Sequence, residues 1–139
     1  MDKRDWKRIY RRVKSKPVFM KDGRPSSALF KDSHGVSVDK DMGRNEKDII
    51  SDEERLHRFY NQGLTEEEIR QNGEELRAII SLSDESCDLA GACVLSDPIE
   101  GENLYHALLQ KSENEILLTK AQARILERAA VIVKTYSIM

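Results

Sequence analysis

The stretch LRAIISL, residues 76–82, is apolar and rich in β-branched side chains. It follows Asn72-Gly73, a pair that typically stops a helix. Apolar, β-branched runs of this length between turn signals are typical of buried strands. We therefore predict a strand at 76–82, and the segments on either side are interpreted outward from it.

Two helices are predicted immediately upstream. Ser51 is followed three residues later by Glu54, and Thr65 by Glu68. In each pair the hydroxyl can accept from a backbone N–H of the first turn while the glutamate reaches back to the capping residue, so both are capping boxes. Carboxylates at helix starts are favoured by the helix dipole, so these glutamates need no catalytic role.

The segment RPSSALFKDSHGVSVDK, residues 24–40, changes the hydrophobic period to two. Ala28 and Phe30 alternate with their neighbours, a loop containing a glycine follows, and Val36 and Val38 alternate again. Two alternating runs joined by a short polar loop predict a β-hairpin.

The N-terminal segment, residues 1–20, has the pattern of a basic amphipathic helix. Apolar residues recur there at helical spacing, and Pro17 ends the pattern. The apolar stripe consists of Trp6, Ile9, Tyr10 and Val13.

Downstream of residue 82, a helical turn is predicted near Ser83, followed by strands over 92–97 and 103–110. Thr119 and Gln122 form a third capping box, and the apolar face that follows predicts a long helix reaching Val133.

This order of elements predicts a single domain over 1–139, with a basic helix at 1–20 and an α+β body at 24–139. The connections are too short for repeated parallel crossovers. We expect a mostly antiparallel sheet of about five strands with the N- and C-terminal helices packed on it.

The charge distribution is uneven along the chain. Residues 1–24 hold ten Lys or Arg against three Asp or Glu, although the net charge of the whole chain is −2. A basic segment on an acidic body is typical of contact with nucleic acid, with an acidic protein, or with the acidic part of the same fold. The partner-binding residues predicted from this segment are Lys3, Arg4, Trp6, Lys7, Arg8, Tyr10, Arg11, Arg12 and Lys14.

Several classes of protein do not fit the sequence. The longest apolar run, 129–133, is far shorter than the roughly 20 residues of a membrane helix, and no secretory signal follows the basic N-terminus. Cys87 and Cys93 make neither a disulfide framework nor a zinc site, and three scattered histidines give no ligand spacing. The seven glycines form no phosphate-binding loop. We expect a cytoplasmic protein with no membrane contact, no metal and no cofactor.

Three segments, GRPSSALFKDSHGVSVDKD (23–41), DPIEGENLYHALL (97–109) and TKAQARILERAAVIVK (119–134), carry a resemblance. Together they resemble a widespread group of short uncharacterised bacterial proteins with an SSAxxKD and GxSVD segment. The resemblance covers about residues 23–133 and implies a bacterial or phage intracellular origin. It carries over no functional residue.

A catalytic set is the alternative to partner binding. Ser26, Ser27, Lys31, Ser37 and His106 supply a nucleophile, an amine and an imidazole, provided that the hairpin neighbours the strand containing His106. Ordinary hairpin polarity and a structural histidine explain the same residues. From this set, the catalytic alternative assigns His106, Lys31 and Ser27.

The sequence leads to two predicted functions, of which the first is favoured. The first is a small non-enzymatic interaction or regulatory protein of a bacterial or phage system, with defence or toxin–antitoxin as its context, that binds an acidic protein or nucleic acid through the basic helix. The second is a small hydrolase or nuclease that uses His106, Lys31 and Ser27.

Overall fold

The computed structural model describes residues 4–137. A sheet of six strands runs through it in the order β6-β7-β4-β1-β5-β8, and every neighbouring pair is antiparallel. A separate two-stranded ribbon joins β2 and β3. The strands are β1 (Arg8–Lys14), β2 (Met20–Lys21), β3 (Arg24–Pro25), β4 (Val36–Lys40), β5 (Leu76–Ser83), β6 (Cys93–Ser96), β7 (His106–Gln110) and β8 (Val131–Thr135).

Four α-helices and two 3₁₀ turns complete the fold of residues 4–137. Helices α3 and α4 pack on one face of the sheet with the second 3₁₀ turn, and α1 packs on the other. The helices are α1 (Glu46–Tyr60), α2 (Glu66–Gln71), α3 (Asp84–Ala90) and α4 (Lys120–Ala129), and the 3₁₀ turns are Pro17–Phe19 and Ser27–Phe30. The predicted α+β class and antiparallel sheet are confirmed.

The predicted N-terminal helix is wrong, because residues 8–14 form β1, an inner strand of the sheet. Ile9 and Val13 face the larger core, whereas Tyr10 faces the smaller core under α1. A strand that is buried on both faces shows apolar residues at neighbouring as well as alternating positions. That pattern, at 9, 10 and 13, coincides with helical spacing.

The predicted hairpin over 24–40 is wrong in its first half. Gly35 has the expected positive φ of 95°, but Ser27–Phe30 is a 3₁₀ turn. Leu29 and Phe30 are both fully buried, which does not fit the predicted hairpin strand with one polar face. The second half, β4, pairs with β1 and β7 instead.

Two helix boundaries also differ from the prediction. Ser51 lies inside α1, which starts earlier, where the side chain of Asn45 accepts from the backbone N–H of Asp48 at 2.9 Å. The last helix ends at Ala129, and β8 follows. The terminal helices of the prediction are therefore replaced by strands at both ends of the described chain.

The middle of the chain follows the prediction closely. Strand β5 covers the predicted 76–82, and β6 and β7 lie within the two predicted downstream strands. The capping boxes at Thr65 and Thr119 are both formed. No helix within residues 4–137 has the length and hydropathy needed to cross a membrane.

Candidate functional site

A cleft opens where two inner strands separate. Strands β1 and β4 pair only at Ile9↔Lys40 and Tyr10↔Asp39, although β1 continues along β5 and β4 continues along β7. The resulting β1–β4 cleft has a volume of about 390 Å³. It is lined by Tyr10, Arg11, Arg12, Lys14, Lys16, Phe19, Leu29, Asp32, Ser37, Val38, Asp39, Glu53, Tyr60 and His106.

Strands β4 and β7 bring a serine and a histidine together at this cleft. Asp39 is the register partner of His106, and Ser37 lies two residues away on the same face of β4. Diagonal neighbours of this kind are within reach of long side chains. Ser37 Oγ lies 3.3 Å from His106 Nε2, and the Ser37 side chain is exposed.

An aspartate holds the other side of the same imidazole. His106 Nδ1 lies 3.1 Å from the Oδ2 atom of Asp97 and 3.0 Å from its backbone carbonyl. Either acceptor fixes a proton on Nδ1 and leaves Nε2 free to accept from the Ser37 hydroxyl. The result is a hydroxyl, an imidazole and a carboxylate in series, the arrangement that activates serine nucleophiles on unrelated folds.

Arg11 crosses the cleft toward the same serine. Its Nη1 donates to the backbone carbonyl of Ser37 at 2.7 Å, while its buried Nε has no hydrogen-bond partner. Burial lowers the pKa of Arg11 to about 10, and the nearby Asp32 opposes that shift. The guanidinium is still charged at neutral pH, and it forms no ion pair with any of residues 4–137.

A second arginine in the cleft is neutralised by carboxylates. Arg12 Nη1 lies 3.2 Å from Glu53 Oε2 and 3.5 Å from Asp39 Oδ2, and Asn103 donates to the other oxygen of Asp39 at 2.6 Å. Burial, followed by the neighbouring Asp39, raises the pKa of Glu53 well above its usual value. The Arg12 guanidinium also lies 5.6 Å from the centre of the Tyr60 ring.

The catalytic residues predicted from sequence are brought together only in part. His106 lies in the cleft, whereas Ser27 starts a 3₁₀ turn and Lys31 follows that turn as an exposed side chain. Neither Ser27 nor Lys31 lines the cleft or hydrogen-bonds to His106. Ser37, which belonged to the wider candidate set, occupies the position assigned to Ser27.

Asp97 was not predicted, although a signal for it exists. It follows β6 directly, and the next strand, β7, begins at His106. Two strands that follow one another along the chain often pair antiparallel, which places the end of the first beside the start of the second. The hairpin connection therefore predicts the contact between Asp97 and His106.

The two aromatic residues predicted to bind a partner, Trp6 and Tyr10, are not available for stacking on a base. Trp6 is 8% exposed and Tyr10 is 3% exposed, and the Tyr10 hydroxyl donates to Glu46 at 3.0 Å. Burial raises the pKa of Tyr10, and the bond to Glu46 adds to the effect.

The cations of the same segment are spread over both faces of the sheet. Arg4 binds the Asp88 carboxylate, with one contact at 2.9 Å, Arg8 binds Ser81 Oγ at 2.7 Å, and Lys14 pairs with Glu74. Lys7 is exposed, and Lys3 lies outside the described residues. From residue 4 onward the segment therefore does not form one continuous basic face, and partner binding through these residues stays a prediction.

Residues 4–137 contain no group of three His, Cys, Asp or Glu side chains placed to hold a metal ion. Cys87 is buried and Cys93 half-buried, and both are free thiols. Comparison with known proteins finds no matching family model, no matching curated protein and no matching solved structure.

Proposed function

We propose that this protein is a small hydrolase that cleaves an ester bond with Ser37 as the nucleophile and His106 as the base. Asp97 acts as a positioning residue for the imidazole. The observation that supports the proposal is the series of contacts Ser37 Oγ–His106 Nε2 at 3.3 Å and His106 Nδ1–Asp97 Oδ2 at 3.1 Å, at the edge of a cleft. The series refines the hydrolase alternative drawn from the sequence, with Ser37 in place of Ser27.

The reaction proceeds in two halves. His106 Nε2 accepts the Ser37 proton while Oγ attacks the electrophilic atom of the ester, and the leaving alkoxide departs with that proton. A water then gives a proton to Nε2 and attacks the ester formed on Ser37, and the proton returns to Oγ. The net change is one ester and one water converted into one acid and one alcohol.

Turnover of chromogenic esters tests the proposal. The purified protein is incubated with p-nitrophenyl acetate, p-nitrophenyl phosphate and bis-p-nitrophenyl phosphate. Ser37→Ala and His106→Ala should each lower turnover by at least about 100-fold, the usual contribution of positioned acid–base and nucleophilic groups. Ser33→Ala and His34→Ala are matched controls, because both residues are exposed in the preceding turn and line no part of the cleft.

Two outcomes would overturn the assignment. One is the absence of turnover on all three esters by the folded wild-type protein. The other is turnover that Ser37→Ala and His106→Ala retain to the same extent as the two controls, with circular dichroism showing that all four variants are folded.

A second function is the binding of an acidic protein or nucleic acid through the basic N-terminal segment, within a bacterial or phage system. Lys7 and Lys16 favour it, because both are exposed and neither forms an ion pair within residues 4–137. A capture experiment should compare the wild type with a Lys7→Gln and Lys16→Gln variant, since deleting the segment would remove β1. Unchanged capture by that variant would exclude this surface.

A further inference from the structure

Arg11 occupies a position where an apolar residue would be expected. On β1 it stands between Ile9 and Val13, both of which are buried in the larger core. Placing a guanidinium in such a position is costly unless its charge and its N–H groups are satisfied. The Nη1 atom of Arg11 donates a hydrogen bond to a neutral carbonyl, and its buried Nε–H has no hydrogen-bond partner. Arg11 is half-buried, so this charged side chain reaches the β1–β4 cleft and keeps one buried donor without a partner.

The charges around Arg11 leave the β1–β4 cleft with a cationic end. Arg12 is balanced by Asp39 and Glu53, and Lys14 by Glu74. Among the described residues that line the cleft, Arg11 and Lys16 have no carboxylate within ion-pair distance, although Asp32 acts on Arg11 from further away.

The cationic end and the nucleophile meet at one residue. Arg11 binds the carbonyl of Ser37, and His106 binds the hydroxyl of Ser37. The Arg11 guanidinium is therefore connected to the residue that carries the nucleophile through its backbone carbonyl. Planar guanidinium groups with unused N–H donors bind tetrahedral and planar oxyanions especially well, and a lysine adds a point charge.

We propose that the β1–β4 cleft binds a phosphate group through Arg11 and Lys16, so that the substrate of this protein is a phosphate ester. The assignment of substrate class rests on the proposed hydrolase function, whereas the phosphate site itself does not. A cleft of about 390 Å³ holds a phosphate together with the group esterified to it, since small-molecule sites usually have volumes of roughly 300–1,000 Å³.

With a phosphate ester the reaction passes through a phosphate ester of Ser37. The bond from Ser37 Oγ to phosphorus forms as the bond from phosphorus to the leaving oxygen breaks. The serine proton passes to His106 Nε2 and then to the leaving oxygen. Water, deprotonated by His106, cleaves the Ser37 phosphoester and regenerates the hydroxyl. Arg11 offsets the charge on the non-bridging oxygens throughout.

Isothermal titration calorimetry with inorganic phosphate tests the site directly. The wild type should bind saturably, and Arg11→Gln should weaken that binding by at least about tenfold, the effect of losing a charge-assisted hydrogen bond. Lys16→Gln should weaken it by about threefold and cannot disturb the core, because Lys16 is exposed. Arg124→Gln removes one exposed positive charge on α4 and should leave the affinity within about twofold of the wild type.

Phosphate binding and ester turnover test the phosphate site and the hydrolase function separately. Ser37→Ala should retain phosphate binding while losing turnover. Saturable binding that depends on Arg11 and Lys16 supports the site even if no ester is cleaved. Absence of binding by the wild type, or equal loss in Lys16→Gln and Arg124→Gln, would overturn the site even if carboxylic esters are cleaved. If Arg11→Gln does not fold, Lys16→Gln alone decides.

Two further titrations identify which class of phosphate-bearing molecule the site binds. Adenosine monophosphate and a short single-stranded RNA are compared with inorganic phosphate under the same salt. Tighter binding of either one, competed by inorganic phosphate, supports the site with nucleotides as its ligand. Equal affinity for adenosine monophosphate and inorganic phosphate supports the site with small phosphate esters as its ligand.

Discussion

Glu53 shows how burial changes the chemistry of one residue. It lies on α1, is 1% exposed, and has one carboxylate oxygen without a hydrogen-bond partner. Arg12 compensates part of its charge, but burial and the adjacent Asp39 dominate and raise its pKa. In the folded protein Glu53 therefore holds its proton more tightly than in the unfolded chain.

The sign of the resulting pH dependence follows directly. Between the usual pKa of 4.5 and the raised pKa in the fold, the folded state binds more protons than the unfolded state. The contribution of Glu53 to the free energy of unfolding therefore falls as pH rises through this range, by at most about 1.4 kcal/mol per pH unit.

We predict that Glu53→Gln removes this decline. Urea denaturation at several pH values above 4.5 should show a smaller loss of stability with rising pH in Glu53→Gln than in the wild type. Glu113→Gln, which alters an exposed carboxylate, should retain the wild-type slope. Parallel slopes for all three proteins would contradict the prediction.

Residue identities were partly predictable at the site. His106 and Ser37 could be named as candidates because chemistry-bearing side chains stand out in a sequence. The choice between Ser27 and Ser37 could not be made, because it depends on which strand lies beside β7. Arg11 could be recognised as basic, but its isolation from carboxylates depends on where β1 separates from β4.

The helix starts show which element signals are reliable. The boxes at Thr65 and Thr119 were predicted correctly, since each stands after a break in the apolar pattern. The pair Ser51 and Glu54 fits the same formula but lies inside α1, whose N-cap is Asn45. A capping motif therefore indicates the start of a helix only where no other capping residue stands one or two turns before it.

Substitution at these two positions should separate a true cap from an apparent one. Asn45→Ala should lower the free energy of unfolding by about 1 kcal/mol, because it leaves a backbone N–H without its acceptor. Ser51→Ala should change stability by less than about 0.5 kcal/mol, since alanine is the better helix former. Urea denaturation measures both, and an equal loss in the two variants would contradict the assignment of the N-cap.

The end of α4 was also predictable in principle. Val131, Ile132 and Val133 are all β-branched, and such residues favour a strand over a helix. They also continue the apolar face of the helix, so periodicity alone extended it too far. Ala130, with φ −64° and ψ 134°, changes the backbone from helix to strand without a glycine or proline to mark the place.

The opposite charges of the two parts of the chain are interleaved in the folded molecule. Strand β1 lies inside the sheet, and its cations reach Asp39 on β4 and Glu74 before β5, while Arg4 in front of the strand reaches Asp88 on α3. Composition could reveal the asymmetry along the sequence. It could not reveal that the part of this basic segment that forms β1 would pair with β5 along the whole strand.

Deletion of residues 1–16 should therefore abolish the fold and not only partner binding. Removing β1 takes away the shared neighbour of β4 and β5 and the buried side chains of Ile9 and Val13. Far-UV circular dichroism of the deletion variant should show loss of most sheet structure, whereas the Lys7→Gln and Lys16→Gln variant should match the wild type. A native-like spectrum from the deletion variant would contradict the central position of β1.

Strand β1 is synthesised well before β5, the strand with which it pairs along its whole length. Arg8 and its neighbour Ser81 are 73 positions apart, and translation proceeds at about 5–20 residues per second. For several seconds the apolar side chains of this strand exist without their main pairing partner. The arginines and lysines between them are charged residues of the kind that reduce aggregation of exposed apolar segments.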